Sequence, residues 1–124
     1  MLPTTTQQNI TEWVTVCRLD RIPPNTGVCA MVSGQQVAVF HWQAGGLEGV
    51  SELYAIDNYD PFSKAYVLSR GIVGDRNGIP KVASPIYKQN FNLQTGECLD
   101  DAGVAIATYP SRITDGQVQI GLLT

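Results

Sequence analysis

The sequence predicts an all-β fold, a sandwich or small barrel, on three observations. Short runs rich in β-branched and aromatic residues recur along the chain. Turn-forming residues separate them at fairly regular intervals. Nowhere do apolar residues repeat at helical spacing over more than about two turns, which leaves a helical bundle or a βαβ architecture without support.

Taken in order, Met1 to Thr11 is too polar to pack and reads as a flexible tail, leaving one domain over residues 12–124. Trp13 to Cys17 is the first strand, and Arg21 to Gly27, with Pro23-Pro24-Asn25 inside it, breaks that strand. Val28 to Val32 and Gln36 to Trp42 flank Ser33-Gly34 as a tight hairpin. A glycine-rich loop, Ala44 to Gly49, precedes a short buried strand at Leu53 to Ile56, which ends at Asp57-Asn58. Tyr59 to Arg70 is irregular. Short strands follow at Ile72-Val73, at Ile79 to Ala83 beyond a turn over Asp75 to Gly78, and at Asn90 to Leu93 before a Thr95-Gly96 turn. Val104 to Tyr109 and Gln117 to Leu122 close the chain, the latter after the hairpin signal Thr114-Asp115-Gly116. The change of character after Ile56 marks an inserted subdomain, about residues 57–98, rather than a second domain.

Composition narrows the function. With 124 residues, a formal net charge of −3 and no Lys/Arg block, the chain has no electrostatic footprint for nucleic acid or an anionic membrane. It has no apolar run near the roughly 20 residues of a membrane span, and the opening residues lack the basic and apolar segments of a secretion leader. A soluble, cytoplasmic protein is expected. Three cysteines, an odd number at wide spacing, then read as reduced thiols.

Catalytic chemistry is sparse. His41 is the single histidine, so mechanisms needing two imidazoles are excluded, and a histidine between Phe40 and Trp42 in a strand reads as a satisfied or surface residue. Cys17, Cys29, His41 and Cys98 have the composition of a Cys₃His zinc site, but no two have a chelating spacing. Asp57, Asp60, Asp75 and Asp100-Asp101 all neighbour turn residues and read as solvated turn carboxylates. Gly71-Ile72-Val73-Gly74 is followed by no helix that could receive a phosphate.

One set of segments carries more. Leu53-Tyr54-Ala55-Ile56-Asp57-Asn58, Asp60-Pro61-Phe62, Val67-Leu68-Ser69-Arg70-Gly71, Ser84-Pro85-Ile86-Tyr87 and Phe91-Asn92-Leu93-Gln94-Thr95-Gly96-Glu97 follow one another in the order and spacing of the cluster-binding region of Rieske proteins, which the chain resembles. In a cluster-bearing member the first loop reads Cys-x-His and the second Cys-x-x-His, supplying two thiolates to one iron and two imidazoles to the other. The resemblance places Asp60 and Phe62 at the first pair of positions and Ser84 and Tyr87 at the second. Phe62 has no donor, and the oxygens of the other three are hard ligands where the cluster needs thiolate and imidazole, so no [2Fe–2S] cluster is expected.

This ligand-free version, with Asp-Pro-Phe, Val-Leu-Ser-Arg-Gly and Val-Ala-Ser-Pro together, is similar to the small subunits of assimilatory NAD(P)H nitrite reductase from about Trp13 to the C-terminal hairpin. The resemblance implies a β base with a β tip, and a large catalytic partner subunit that reduces nitrite to ammonium and carries FAD, an iron-sulfur cluster and sirohaem, none of which has a site in this chain. It implies no catalytic residue here. The old cluster loops are the candidate partner surface: Asp60, Pro61, Phe62, Ser84, Pro85 and Tyr87, with Arg70 and Lys88 as a polar rim. Phe62 and Tyr87 have a second reading, as plugs for the void the cluster would leave. Two other classes stay open: a free-standing binding or regulatory domain of Rieske-derived fold, and a [2Fe–2S] ferredoxin with unusual ligands.

Overall fold

The computed structural model describes residues 10–43 and 51–123. The Ala44 to Gly49 loop and residues 1–9 of the expected tail lie outside the described residues. Ile10 and Thr11, expected in the tail, instead open the first strand, where Ile10 stands opposite Leu123.

Among the described residues, twelve strands form four antiparallel sheets. In the base, β1 (Ile10–Arg18), β12 (Gln117–Leu123) and β11 (Ser111–Thr114) make one sheet in the order β1-β12-β11. The other base sheet is ordered β10-β4-β3-β2, from β10 (Thr108–Tyr109), β4 (Ser51–Asp57), β3 (Gln35–Gln43) and β2 (Thr26–Val32). Between β4 and β10 in the chain lies the tip: β5 (Tyr59–Asp60) pairs with β6 (Ala65–Tyr66), and β7 (Ile72–Arg76), β8 (Ile79–Ala83) and β9 (Asn90–Asn92) form a three-stranded sheet.

β3 organises the interior because it is buried on both faces, continuously from Val37 to His41. Val37 and Val39 pack into the base core with Ile22, Val32, Ala55, Val118 and Ile120. Ala38 and Phe40, on the opposite face by the strand's two-residue period, pack with Ile56 and the tip residues Leu68, Val82, Phe91, Leu93 and Cys98. Each such large side chain contributes about 1.5–3 kcal/mol on burial. A Cβ at Gly27 of β2 would sit 2.6 Å from the Phe40 ring, so glycine there lets the ring fill the space between base and tip.

The expected hairpin turns form at Ser33-Gly34, Asn77-Gly78 and Asp115-Gly116, each with both residues at positive φ, the type I′ geometry that matches strand twist. Three details differ from expectation. Tyr59 to Arg70 contains the short β5 and β6 and a 3-10 turn at Leu68–Arg70 rather than being irregular throughout. Only Thr108 and Tyr109 of the expected Val104 to Tyr109 strand pair in a sheet; Val104 and Ile106 do pack on the tip core, but Ile106 N–H donates to Gly96 and Cys98 N–H to Val104. The strand at Ser111–Thr114 was not expected, being mostly exposed and without apolar alternation.

Asn58 ties tip to base. Buried to 2% exposure, it accepts the Ser69 N–H on its side-chain oxygen at 2.7 Å and donates from Nδ2 to Gln36 Oε1 at 3.1 Å. His41 has both ring nitrogens engaged: Nδ1 donates to the Ile22 carbonyl at 2.7 Å and Nε2 accepts from the Ser51 hydroxyl at 2.9 Å. It is a satisfied structural histidine, pinning the 3-10 turn Leu19–Arg21 and its exit to β3.

Candidate functional site

The two tip loops are built alike. In the first, Asp60 accepts the Phe62 N–H on its side chain at 2.9 Å, and its carbonyl accepts the Lys64 N–H at 2.7 Å, with Lys64 at φ 60°. In the second, Ser84 Oγ accepts the Ile86 N–H at 3.3 Å, and its carbonyl accepts the Lys88 N–H at 3.1 Å, with Lys88 at φ 69°. Each loop is thus opened by a short polar side chain that caps the residue two further on. A lysine in the left-handed region, uncommon for a residue with a Cβ, closes each one.

Those two opening residues meet. Ser84 Oγ donates to Asp60 Oδ2 at 2.5 Å, and Ser63 Oγ donates to the same oxygen at 2.8 Å. Asp60 and Ser84 are both fully buried, which corrects the reading of Asp60 as a solvated turn carboxylate. Burial is the strongest single influence on Asp60 and pushes its carboxyl up, but hydrogen bonds from Ser84, the Phe62 amide and Ser63 together outweigh it and hold the carboxyl below its ordinary value. The residue is therefore a charged, fully partnered anchor between the loops.

The other candidates divide by exposure. Phe62 points inward, packed on the tip core with its ring 6.1 Å from that of Phe91. Tyr87 points outward at 60% exposure, and so does Ile86 at 45%. Sequence reasoning passed over Ile86, although its place between Pro85 and Tyr87 was the available signal. Pro61 and Pro85 are half-buried. Lys88 is exposed and folds back to donate from Nζ to the Pro85 carbonyl at 3.0 Å. Arg70 is exposed but lies on neither loop; it ends the 3-10 turn that packs against β2 and β3.

The donor set does not fit a [2Fe–2S] cluster. The positions where two thiolates would share an iron hold a carboxylate and a hydroxyl bonded to each other, and Phe62, at one imidazole position, lies against the apolar core. Of the three cysteines, Cys98 is buried in the tip core while Cys17 and Cys29 belong to β1 and β2 of the base. Among the described residues no three His, Cys, Asp or Glu side chains converge on a common point that could hold a metal.

Comparison with known proteins gives one consistent result. The model of the Rieske-like [2Fe-2S] domain family matches residues 12–121. The nitrite reductase (NADH) small subunit of Salmonella typhimurium is 40% identical over 111 residues, covering 90% of this chain and 98% of that protein. In the nitrite reductase [NAD(P)H] large subunit of Klebsiella oxytoca, a stretch 38% identical over 109 residues covers 88% of this chain and 11% of that protein. Among solved structures, the Escherichia coli protein NirD superposes with a TM-score of 0.79 at 39% identity, covering 90% of this chain and 96% of that one.

Proposed function

Because the chain belongs to the family of Rieske-like [2Fe-2S] domains and, within it, to the small subunits of nitrite reductase, we propose that it binds and supports the catalytic large subunit in nitrate assimilation without carrying electrons itself. The observation that carries the non-redox half of this reading is the Asp60–Ser84 hydrogen bond, which occupies the thiolate positions with a closed polar pair. A domain with no redox centre acts through shape. On this reading nitrite reduction to ammonium with NADH or NADPH takes place on the partner, which carries FAD, an iron-sulfur cluster and sirohaem, and this chain has no catalytic residue.

The contact surface proposed is the outer side of the tip loops. Ile86 and Tyr87 stand exposed on a loop held rigid from beneath by Ser84 and Asp60, the arrangement of an interface anchor whose conformation is fixed before binding. Phe62 belongs to the interior instead, as the plug. The surrounding compartment is the cytoplasm, where NAD(P)H is available and three free thiols stay reduced.

The test is an affinity pull-down of the tagged chain from cells grown on nitrate, with nitrite-dependent NAD(P)H oxidation assayed in the eluate. Recovery of a flavin- and sirohaem-containing partner with activity is the expected result. Failure to retain it, from cells shown to hold active enzyme, would sink the subunit role in favour of a free-standing binding domain.

A further inference from the structure

β2 is an edge strand: it pairs with β3 on one side, and among the described residues no strand pairs with the other. Soluble proteins protect such edges with charge, proline, bulges or cover, because a row of free backbone donors and acceptors is a template for another strand. The seven residues Thr26 to Val32 contain neither a charged residue nor a proline, and they pair with β3 in unbroken register. Among the described residues this edge therefore has none of the charge, proline or bulges that usually protect one.

Two grooves flank it and meet at Met31, which is 65% exposed. One, of about 430 Å³, lies toward the tip and is lined by Met31, Gln36, Asp57, Tyr59 and Tyr66. The other, of about 400 Å³, lies between β2 and the outer edge strand of the neighbouring sheet, β1, lined by Val14, Val16, Arg21, Val28, Ala30 and Met31. An added strand sends alternate side chains to opposite faces, and along β2 it would run past the largely aliphatic groove and reach, at Met31, the polar, aromatic one with its carboxylate.

We propose that an extended segment of the large catalytic subunit adds to the free edge of β2 as a fifth strand of that sheet, with aliphatic side chains in the β1–β2 groove and polar or basic ones beside Asp57. The inference rests on the subunit reading above. A second copy of β2 is the poorer occupant, since it carries no basic residue to stand beside Asp57. In the Klebsiella oxytoca relative the matching stretch is part of the large-subunit chain and is held to it covalently. A separate subunit needs a noncovalent tie, and a ladder of main-chain hydrogen bonds supplies one.

The test is hydrogen–deuterium exchange on the full chain, alone and mixed with active large subunit, together with the affinity of Met31→Asp. Slowed exchange over residues 26–32 in the complex is expected. With it, affinity should fall at least about tenfold for Met31→Asp, equivalent to about 1.4 kcal/mol, with unchanged thermal stability of the free chain. A complex that forms with exchange over 26–32 unaltered overturns strand addition and leaves the subunit role standing. Protection that rises with the concentration of this chain alone assigns the edge to self-association and also overturns the proposal. Absence of any complex removes both readings.

Discussion

Ser84 Oγ lies 2.5 Å from Asp60 Oδ2, so residues 24 positions apart in the chain join the two tip loops at the very positions where two thiolates would share an iron. Both partners are fully buried, so removing Asp60 leaves the Ser84 hydroxyl without its acceptor, whereas removing Ser84 takes one donor from a carboxylate that keeps Ser63 and the Phe62 amide. Ser84→Ala should cost about 1–2 kcal/mol and Asp60→Ala about 2–4 kcal/mol, since the latter also strands Ser63 and the Phe62 amide. The double substitution should cost less than the sum by about 1 kcal/mol or more, measured by urea unfolding.

The same carboxylate sets a pH dependence. Its carboxyl is held below the ordinary 3.8, so above that value it is ionised whether the chain is folded or not and its stabilisation is complete. As pH falls through 3.8 the unfolded chain takes up the proton first, and the stabilisation is lost as pH falls on through the folded value. Asp100, depressed chiefly by hydrogen bonds from the Asn90 backbone and side chain, adds in the same direction. Melting temperature should therefore drop on acidification in this window, and the drop should be shallower in Asp60→Asn, which starts from a lower stability.

Phe62 and Tyr87 should separate cleanly. Phe62→Ala opens a cavity beside Phe91 and should destabilise the chain by about 2–4 kcal/mol while its affinity for the large subunit stays close to the original where it is folded. Tyr87→Ala, at an exposed site, should leave stability within about 0.5 kcal/mol and weaken the complex by about 1–2 kcal/mol. Calorimetric titration of both variants, beside their melting curves, reads the difference.

Iron is the remaining check. Protein made and purified without oxygen should contain neither iron nor acid-labile sulfide, show no visible absorption, and melt at the same temperature before and after treatment with a chelator. Stoichiometric iron with sulfide would mean that a donor set other than the four positions at Asp60, Phe62, Ser84 and Tyr87 holds a cluster.

The legible parts of the fold were those where a turn needs positive φ between two alternating runs. Ser33-Gly34, Asn77-Gly78 and Asp115-Gly116 announced the β2–β3, β7–β8 and β11–β12 hairpins, although β11 itself carries no apolar alternation and was missed. β5 and β6 were hidden because two-residue strands have no period; a loop capped by Asp60 brings them together. At the site, the four degenerate positions were legible only through the resemblance. The Asp60–Ser84 bond was not, being nonlocal, and neither was the opposite orientation of Phe62 and Tyr87, two aromatics that composition treats alike. Burial, not residue type, distinguishes them.

β3 sends Val39 into the base core and its neighbour Phe40 into the tip core, so the two regions share a single strand rather than an interface between finished parts. Melting either one strips a face of that strand and exposes the other's packing, which couples them into one cooperative unit. Fluorescence from Trp13 and Trp42, both on base strands, and amide exchange at Val82 in the tip should accordingly report one unfolding transition. The tip core is hydrocarbon packed on β3, so the chain, unfolded and refolded without added iron or sulfide, should regain its original melting temperature.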